Sequence, residues 1–244
     1  MRALSSQGLL AVWERGAAST PPERALAFLA AALPSRPREE LAGLTAGERD
    51  AVLLALRERT LGPDLRGRTE CPVCGSRLEF VLPIADVYVA DRAPAPESLH
   101  FEQDGYLLHL RLPTARDLSA AGAQKSVEAA RALLLSRALL AATRDGQPVA
   151  ARDLPEEIVA ALGERLSEAD PQAEVELRLS CARCGHGWSA YLDIGQFFWA
   201  ETTAIAERLL GEVHALAGAY GWREADILAM SAARRHAYIE RIGE

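Results

Sequence analysis

Hydrophobic positions change period several times along the chain, and each change marks an element. Thr20-Pro21-Pro22-Glu23 offers a capping hydroxyl, early prolines and a returning carboxylate, so a helix is predicted through Arg24 to Leu33. Thr45-Ala46-Gly47-Glu48 repeats the device. The helix it opens turns Val52, Leu53 and Leu56 toward a core, places Arg49, Arg57 and Glu58 elsewhere, and stops near Gly62-Pro63. The first third therefore reads as a helical hairpin with Pro34 to Pro37 between its arms.

Beyond Cys71 and Cys74 the period falls to two. Leu78, Phe80 and Leu82 alternate with Glu79 and Val81 as a strand does, and a loop rich in Ala and Pro follows from Ala90 to Pro96. Leu99 and Phe101 lead into Asp104-Gly105, a two-residue hairpin signal, and Tyr106, Leu108, Leu110 and Leu112 alternate out of it. Thr114-Ala115-Arg116-Asp117 caps a helix predicted to run through Val127, Leu133, Leu134 and Leu140 to a turn at Asp145-Gly146. Asp153-Leu154-Pro155-Glu156 opens a shorter helix that ends before Asp170-Pro171. Val175, Leu177 and Leu179 form a strand into Cys181, and Trp188, Ala190 and Leu192 form one out of Cys184. A long helix with a wide apolar stripe spans about Gln196 to Ala219, with Glu201, Arg208 and Glu212 on its opposite side. Gly221 breaks it, a short helix carries Ile227, Leu228 and Met230, and Ser231 caps a last helix.

The implied fold is α+β and mostly helical. A helical amino-terminal segment (1–66) precedes a small zinc-ribbon and β-hairpin core (67–194) with a helical insertion (115–170), and a carboxyl-terminal helical segment (195–244) follows.

The chemistry lies in Cys71-Pro72-Val73-Cys74-Gly75 and Cys181-Ala182-Arg183-Cys184-Gly185. Two residues between cysteines let one tight turn aim both sulfurs at one metal, and the trailing glycine supplies a positive φ. Cys71, Cys74, Cys181 and Cys184 are thus read as ligands of one structural zinc ion. The 106 residues between Cys74 and Cys181 far exceed the about 15 to 20 of a simple zinc ribbon, so the hairpin and helices between them hang on the ribbon. Four thiolates leave neither an open position nor a base, which argues against a catalytic metal. His186 adjoins the second turn as an alternative ligand, although a hydrogen-bonded turn histidine is the plainer reading.

Composition narrows the classes. The chain has 244 residues, 49% hydrophobic and 25% charged, and its net charge of -7 disfavours gripping nucleic acid over a wide surface. No stretch offers roughly 20 apolar residues for a membrane span, and the amino terminus lacks a signal-peptide run, so synthesis in the cytoplasm is expected. There is no phosphate loop, H-E-x-x-H or G-x-S-x-G, and His100, His109 and His214 read as structural. Arg234-Arg235 with Arg241 alternate with Glu240 and Glu244 and do not read as a phosphate grip.

Three stretches carry a resemblance. They are Leu44-Thr45 through Glu48-Arg49 with Leu53-Leu54-Ala55-Leu56-Arg57; Leu110-Arg111-Leu112-Pro113-Thr114 with Asp117-Leu118; and Asp193-Ile194, Phe198-Trp199-Ala200-Glu201, Leu209 to Ala217, Tyr220-Gly221-Trp222, Ile227-Leu228 and Arg234-Arg235. Over roughly residues 40 to 244 the chain resembles the baseplate-assembly proteins of T-even-like phages and their zinc-knuckle relatives in contractile injection-system clusters. The resemblance implies a protein without a reaction of its own that helps build the baseplate or hub of a contractile particle, with other baseplate, hub or spike proteins as partners and incorporation into the particle as one fate. Trp222 and Arg235, beside the helix breaks at Gly221 and Ser231, are the expected partner-facing residues, presented outward. The rival reading is a zinc-ribbon nucleic-acid-binding or regulatory protein, which the acidic charge opposes.

Overall fold

Ser5 accepts a hydrogen bond from the Gly8 N–H and so opens α1 (Ser6–Gly16) in the computed structural model, which describes residues 1–90 and 94–242. Glu23 accepts from the Thr20 N–H at 3.0 Å at the start of α2 (Pro21–Ala32), and after the short α3 (Arg38–Ala42) Glu48 does the same for Thr45 at 2.9 Å, opening α4 (Ala46–Leu61). In both caps the third-position carboxylate satisfies an N–H group that a helix start leaves free, and at α4 the Thr45 hydroxyl also accepts from the Glu48 N–H at 3.2 Å.

Next come β1 (Asp64–Glu70) and β2 (Arg77–Pro83), an antiparallel pair, then β3 (Leu99–Gln103) and β4 (Tyr106–Leu110). Asp104 and Gly105 between the latter both have positive φ, as a tight hairpin turn needs. α5 (Ala115–Gly122), α6 (Val127–Ala138), β5 (Leu139–Arg144), β6 (Gln147–Pro148) and α7 (Glu156–Ala169) complete the insertion. β7 (Glu176–Ser180) pairs with β8 (Gly187–Tyr191), and α8 (Ile194–Tyr220), α9 (Glu224–Ala229) and α10 (Ala232–Ile239) close the chain. The loop predicted from Ala90 to Pro96 falls partly on Asp91 to Ala93, which lie outside the described residues, as does Glu244.

The fold is mixed, with ten α-helices and small antiparallel sheets among the described residues. Its largest apolar cluster is helical: Val12, Phe28, Leu29, Leu53, Leu56 and Phe198 from α1, α2, α4 and α8 are buried together with Leu65 of β1. Phe28 stacks on Phe198 at 4.2 Å between ring centroids, and Trp199 meets Phe28 edge-on. Gly16 makes that contact possible, since a Cβ there would lie 2.5 Å from the Trp199 ring. Trp199 is therefore core filling, with the Arg24 guanidinium over its face at 4.4 Å.

The insertion is not purely helical, and this corrects the sequence reading of 115–170. The predicted long helix breaks after Gly122 into α5 and α6, and Leu139 then turns extended to start β5. β5 pairs with β4, giving the order β3-β4-β5-β6, and α7 packs Ile158 and Leu162 on Leu108 and Leu110. The strand prevails over the helical bias of Leu139-Leu140-Ala141-Ala142 because it satisfies the backbone groups along the open edge of β4. Asp145-Gly146, with positive φ at both residues, is a second hairpin turn rather than a helix end.

Two arginines expected on polar surfaces are buried. Arg57 is 3% exposed, bonds Glu201 of α8 through two nitrogens at 2.6 and 3.0 Å, and donates to the Gly62 carbonyl. Arg235, expected to face outward, is 2% exposed; Glu212 and the Met230 carbonyl, each at 2.6 Å, draw it inward. An arginine taken out of water needs such charged and carbonyl partners, so the same helix, α8, anchors both. Asp170 accepts from the Gly47 N–H at 2.7 Å, which ties the end of the insertion to α4, and Gln172 bridges Val87 and Val89 in the segment after β2.

Candidate metal centre

Each cysteine pair sits in the turn of a two-stranded ribbon, and the two turns have the same backbone geometry. Gly75 N–H donates to the Cys71 carbonyl at 2.9 Å and Cys71 N–H to the Ser76 carbonyl; Gly185 and Cys181 repeat this, the latter with His186. Gly75 and Gly185 take φ of 65° and 73°, which lets the chain curl under the sulfurs at a position where other residues would be strained.

The turns face each other. Cys71 Sγ lies 3.6 Å from Cys184 Sγ and Cys74 Sγ lies 3.7 Å from Cys181 Sγ, and all four sulfurs fall within 4.8 Å of one another. A disulfide needs about 2.05 Å, so these are four free thiols. A tetrahedron of bonds near 2.3 Å has edges of about 3.8 Å, so the sulfur set has the size and donor type to hold one metal ion. Among the described residues no other group of three or more His, Cys, Asp or Glu side chains could do so.

The thiols perturb one another. The Cys184 N–H holds the Cys181 thiol down to about 7, ahead of the opposing effect of burial. Ser76 N–H favours the Cys74 thiolate, but burial and the three neighbouring sulfurs outweigh it and push that thiol up to about 12. Cys71 is lowered, the N–H groups of Cys74 and Val73 and the Cys184 and Cys74 thiols overcoming a larger burial effect. Cys184 is raised, burial and the Cys71 and Cys181 sulfurs outweighing the larger help of the His186 N–H.

His186 is not part of the close group; it is half-buried, with its ring parallel to Trp188 at 6.1 Å. His100 and His109 stack cross-strand at 4.5 Å on the β3–β4 pair, and His214 is exposed on α8. Trp222 is half-buried in an aromatic knot, stacked on Tyr220 at 4.6 Å and edge-on to Tyr238 at 4.8 Å, so it does not stand free near Arg235. The stretch Arg111 to Asp117 forms a joint that sequence alone did not reveal. Arg111 grips Asp117 with two nitrogens at 2.6 and 3.1 Å, Thr114 N–H and hydroxyl add to it, and the caps of α4 and α5 pair through Ala46 N–H to Pro113 and Ala115 N–H to Leu44. Burial opposes ionisation of Asp117, yet Arg111 and Thr114 together bring it down to about 2.

The sequence profile of the family described as T4 bacteriophage base plate protein matches residues 27–199, more than half of the chain. The chain belongs to this family. The base plate family match runs from α2 into α8 and takes in both cysteine turns, the paired caps and the four-stranded sheet. It leaves α1, α9, α10 and most of α8 outside, so the carboxyl-terminal part of the resemblance beyond Trp199 lies outside the matched span. No curated protein and no solved structure matches the chain. Among the described residues no helix is long and apolar enough to cross a membrane.

Proposed function

We propose that the protein is a non-enzymatic component of the baseplate or hub of a contractile phage-tail-like particle, as a structural part or an assembly chaperone, and that one structural zinc ion on Cys71, Cys74, Cys181 and Cys184 holds its two ribbons together. The observation that carries this reading is the base plate family match across both cysteine turns. The zinc supplies four metal–thiolate bonds between segments far apart in sequence, and with four sulfur donors it keeps no position for substrate. Cys71 and Cys74 hold one side and Cys181 and Cys184 the other, each pair set by its ribbon. The partners are other proteins of the particle, and synthesis is cytoplasmic, with incorporation into the particle as the fate of a structural part.

Nucleic-acid binding through the first ribbon finds little support in its charges. Arg68 pairs with Glu79 at 3.0 Å and Arg77 with Glu70 at 3.3 Å, so these two cations are offset across the strands.

Deletion of the gene tests the assembly role. Tube and sheath subunits should still be made while intact particles, counted by electron microscopy and tested for contraction, should be absent. Normal particles from the deletion strain would overturn it.

A further inference from the structure

The apolar surface least explained by the fold lies on the insertion. α6 has twelve residues, yet Ala138 alone is buried; Val127 is 79% exposed and Leu133, Leu134 and Leu135 are half-buried. Leu134 of α6 and Leu118 of α5 wall a cleft of about 520 Å³, opposite Leu112, Leu166 and Tyr191, whose ring is 66% exposed at the end of β8. Half-buried Leu118 and Leu134 and exposed Tyr191 give this cleft an apolar side open to solvent.

The rest of the cleft is acidic. Asp50, Asp170, Asp193 and Glu174 line it, and past Ser167, Glu174 and Tyr191 it continues into a second depression of about 540 Å³ edged by Glu164 and Glu176. Among the described residues the one cation lining either part is Arg49, already bonded to Asp50 at 2.7 Å. These carboxylates do not converge as metal ligands, since the four cysteines form the metal-sized cluster among the described residues. They are instead strung along a groove between α7 and the β7–β8 ribbon. Nucleic acid and anionic membrane would be repelled by the same charge.

We propose that this groove docks a polypeptide segment of another particle protein that carries apolar side chains followed by two or more Lys or Arg. The apolar residues rest against Leu118, Leu134 and Tyr191, and the cations lie along Asp193, Glu174, Glu164 and Glu176. Charge sets the direction and selects the partner, while the apolar end supplies most of the contact energy. The proposal rests on the baseplate reading and names the face of the molecule that carries it out.

The test uses the full chain in cells that make the particle, with a photo-crosslinking phenylalanine at Leu134, at Tyr191, or at Val73, which is 66% exposed at the tip of the first ribbon. Leu134 and Tyr191 should crosslink to one stretch of another particle protein, apolar with neighbouring Lys or Arg. A synthetic peptide of that stretch should bind the purified protein, and Glu164→Lys/Glu176→Lys, two exposed positions, should weaken it about tenfold or more. Crosslinks from Val73 alone, a neutral or acidic crosslinked stretch, a crosslink to a second copy of this chain, or peptide binding indifferent to the double charge change would each overturn the groove. If the double variant assembles particles at the normal count while the deletion strain makes none, the groove fails and the assembly role stands. If the deletion strain assembles normally, the assembly role fails and the peptide measurement alone decides the groove.

Discussion

Loss of the metal should cost the protein more than any single side-chain truncation. The tie between Cys74 and Cys181 closes a loop of 106 intervening residues, and on the cross-link entropy account a loop of that length is worth about 4 to 5 kcal/mol before any metal–ligand bond is counted. The ribbons cannot replace it. β2, β7 and β8 alternate exposed with half-buried residues and bury none fully, so little apolar area holds them in place. For a chain of this size about 1 kcal/mol moves the melting temperature by roughly 2 to 4 °C, so Cys74→Ser or a tight chelator should lower it by about 8 to 20 °C. Metal content by mass spectrometry should read one zinc per chain in the wild type and none in the variant, and thermal melts of both give the shift. A variant that is fully metal-free and melts within about 2 °C of the wild type would refute the cross-link argument.

Three further outcomes follow from buried polar contacts. Arg57→Met strands Glu201 and the Gly62 carbonyl and should destabilise by about 3 to 5 kcal/mol in urea unfolding, with Arg57→Met/Glu201→Gln recovering part of the loss. Gly47→Ala puts a Cβ 1.9 Å from Asp170 Oδ1 and 3.0 Å from the Ala173 nitrogen, and should cost about 1 to 3 kcal/mol, read as a lower urea midpoint. Asp117 has a folded pKa of about 2, below its unfolded value near 3.8, so its contribution is complete above about pH 4 and is lost as the pH falls toward 2. Wild type and Asp117→Asn should therefore converge by about 2 kcal/mol across that window, measured by urea unfolding at its two ends.

The caps, the first hairpin and the two cysteine turns are legible in the sequence because each is a local device with its own residue pattern. Thr45 with Glu48, Asp104-Gly105 and the two C-x-x-C-G turns each fix geometry within five residues. β5 was missed because Leu139 to Ala142 have helical propensity, and the pairing that overrides it comes from β4, tens of residues away. The signal was present in Asp145-Gly146, the same dipeptide that marked the first hairpin. Arg57 and Arg235 are buried against expectation, Arg57 because its charge reads as exposure and Arg235 because its place beside the Ser231 helix break reads as outward-facing. Their spacing points inward: Arg57 follows buried Leu53 and Leu54 by four and three residues on α4, and Arg235 precedes half-buried Tyr238 and Ile239 by three and four on α10. The acidic groove was not legible at all, because Asp50, Asp170 and Asp193 meet only through the tertiary fold.

The metal and the groove are physically linked. Tyr191 ends β8, Glu176 begins β7, and both edge the groove, so the β7–β8 ribbon is one of its walls. That wall is fixed at one end by the chain running from Leu192 into the buried Ile194 of α8, and at the other by the cysteine turn. Between those ends the strands bury no residue fully, with half-buried Leu177 packed on the core, so releasing the turn should loosen the ribbon. A metal-free chain keeps the helical core built from Phe28, Leu53 and Phe198, since none of those contacts passes through the sulfurs. It loses the spacing between α7 and β7 that lets apolar and cationic side chains be held together. On the proposed reading the zinc pre-organises a wall of the proposed groove, and its removal should weaken peptide binding through the entropy of reordering the ribbon rather than through any contact with the peptide.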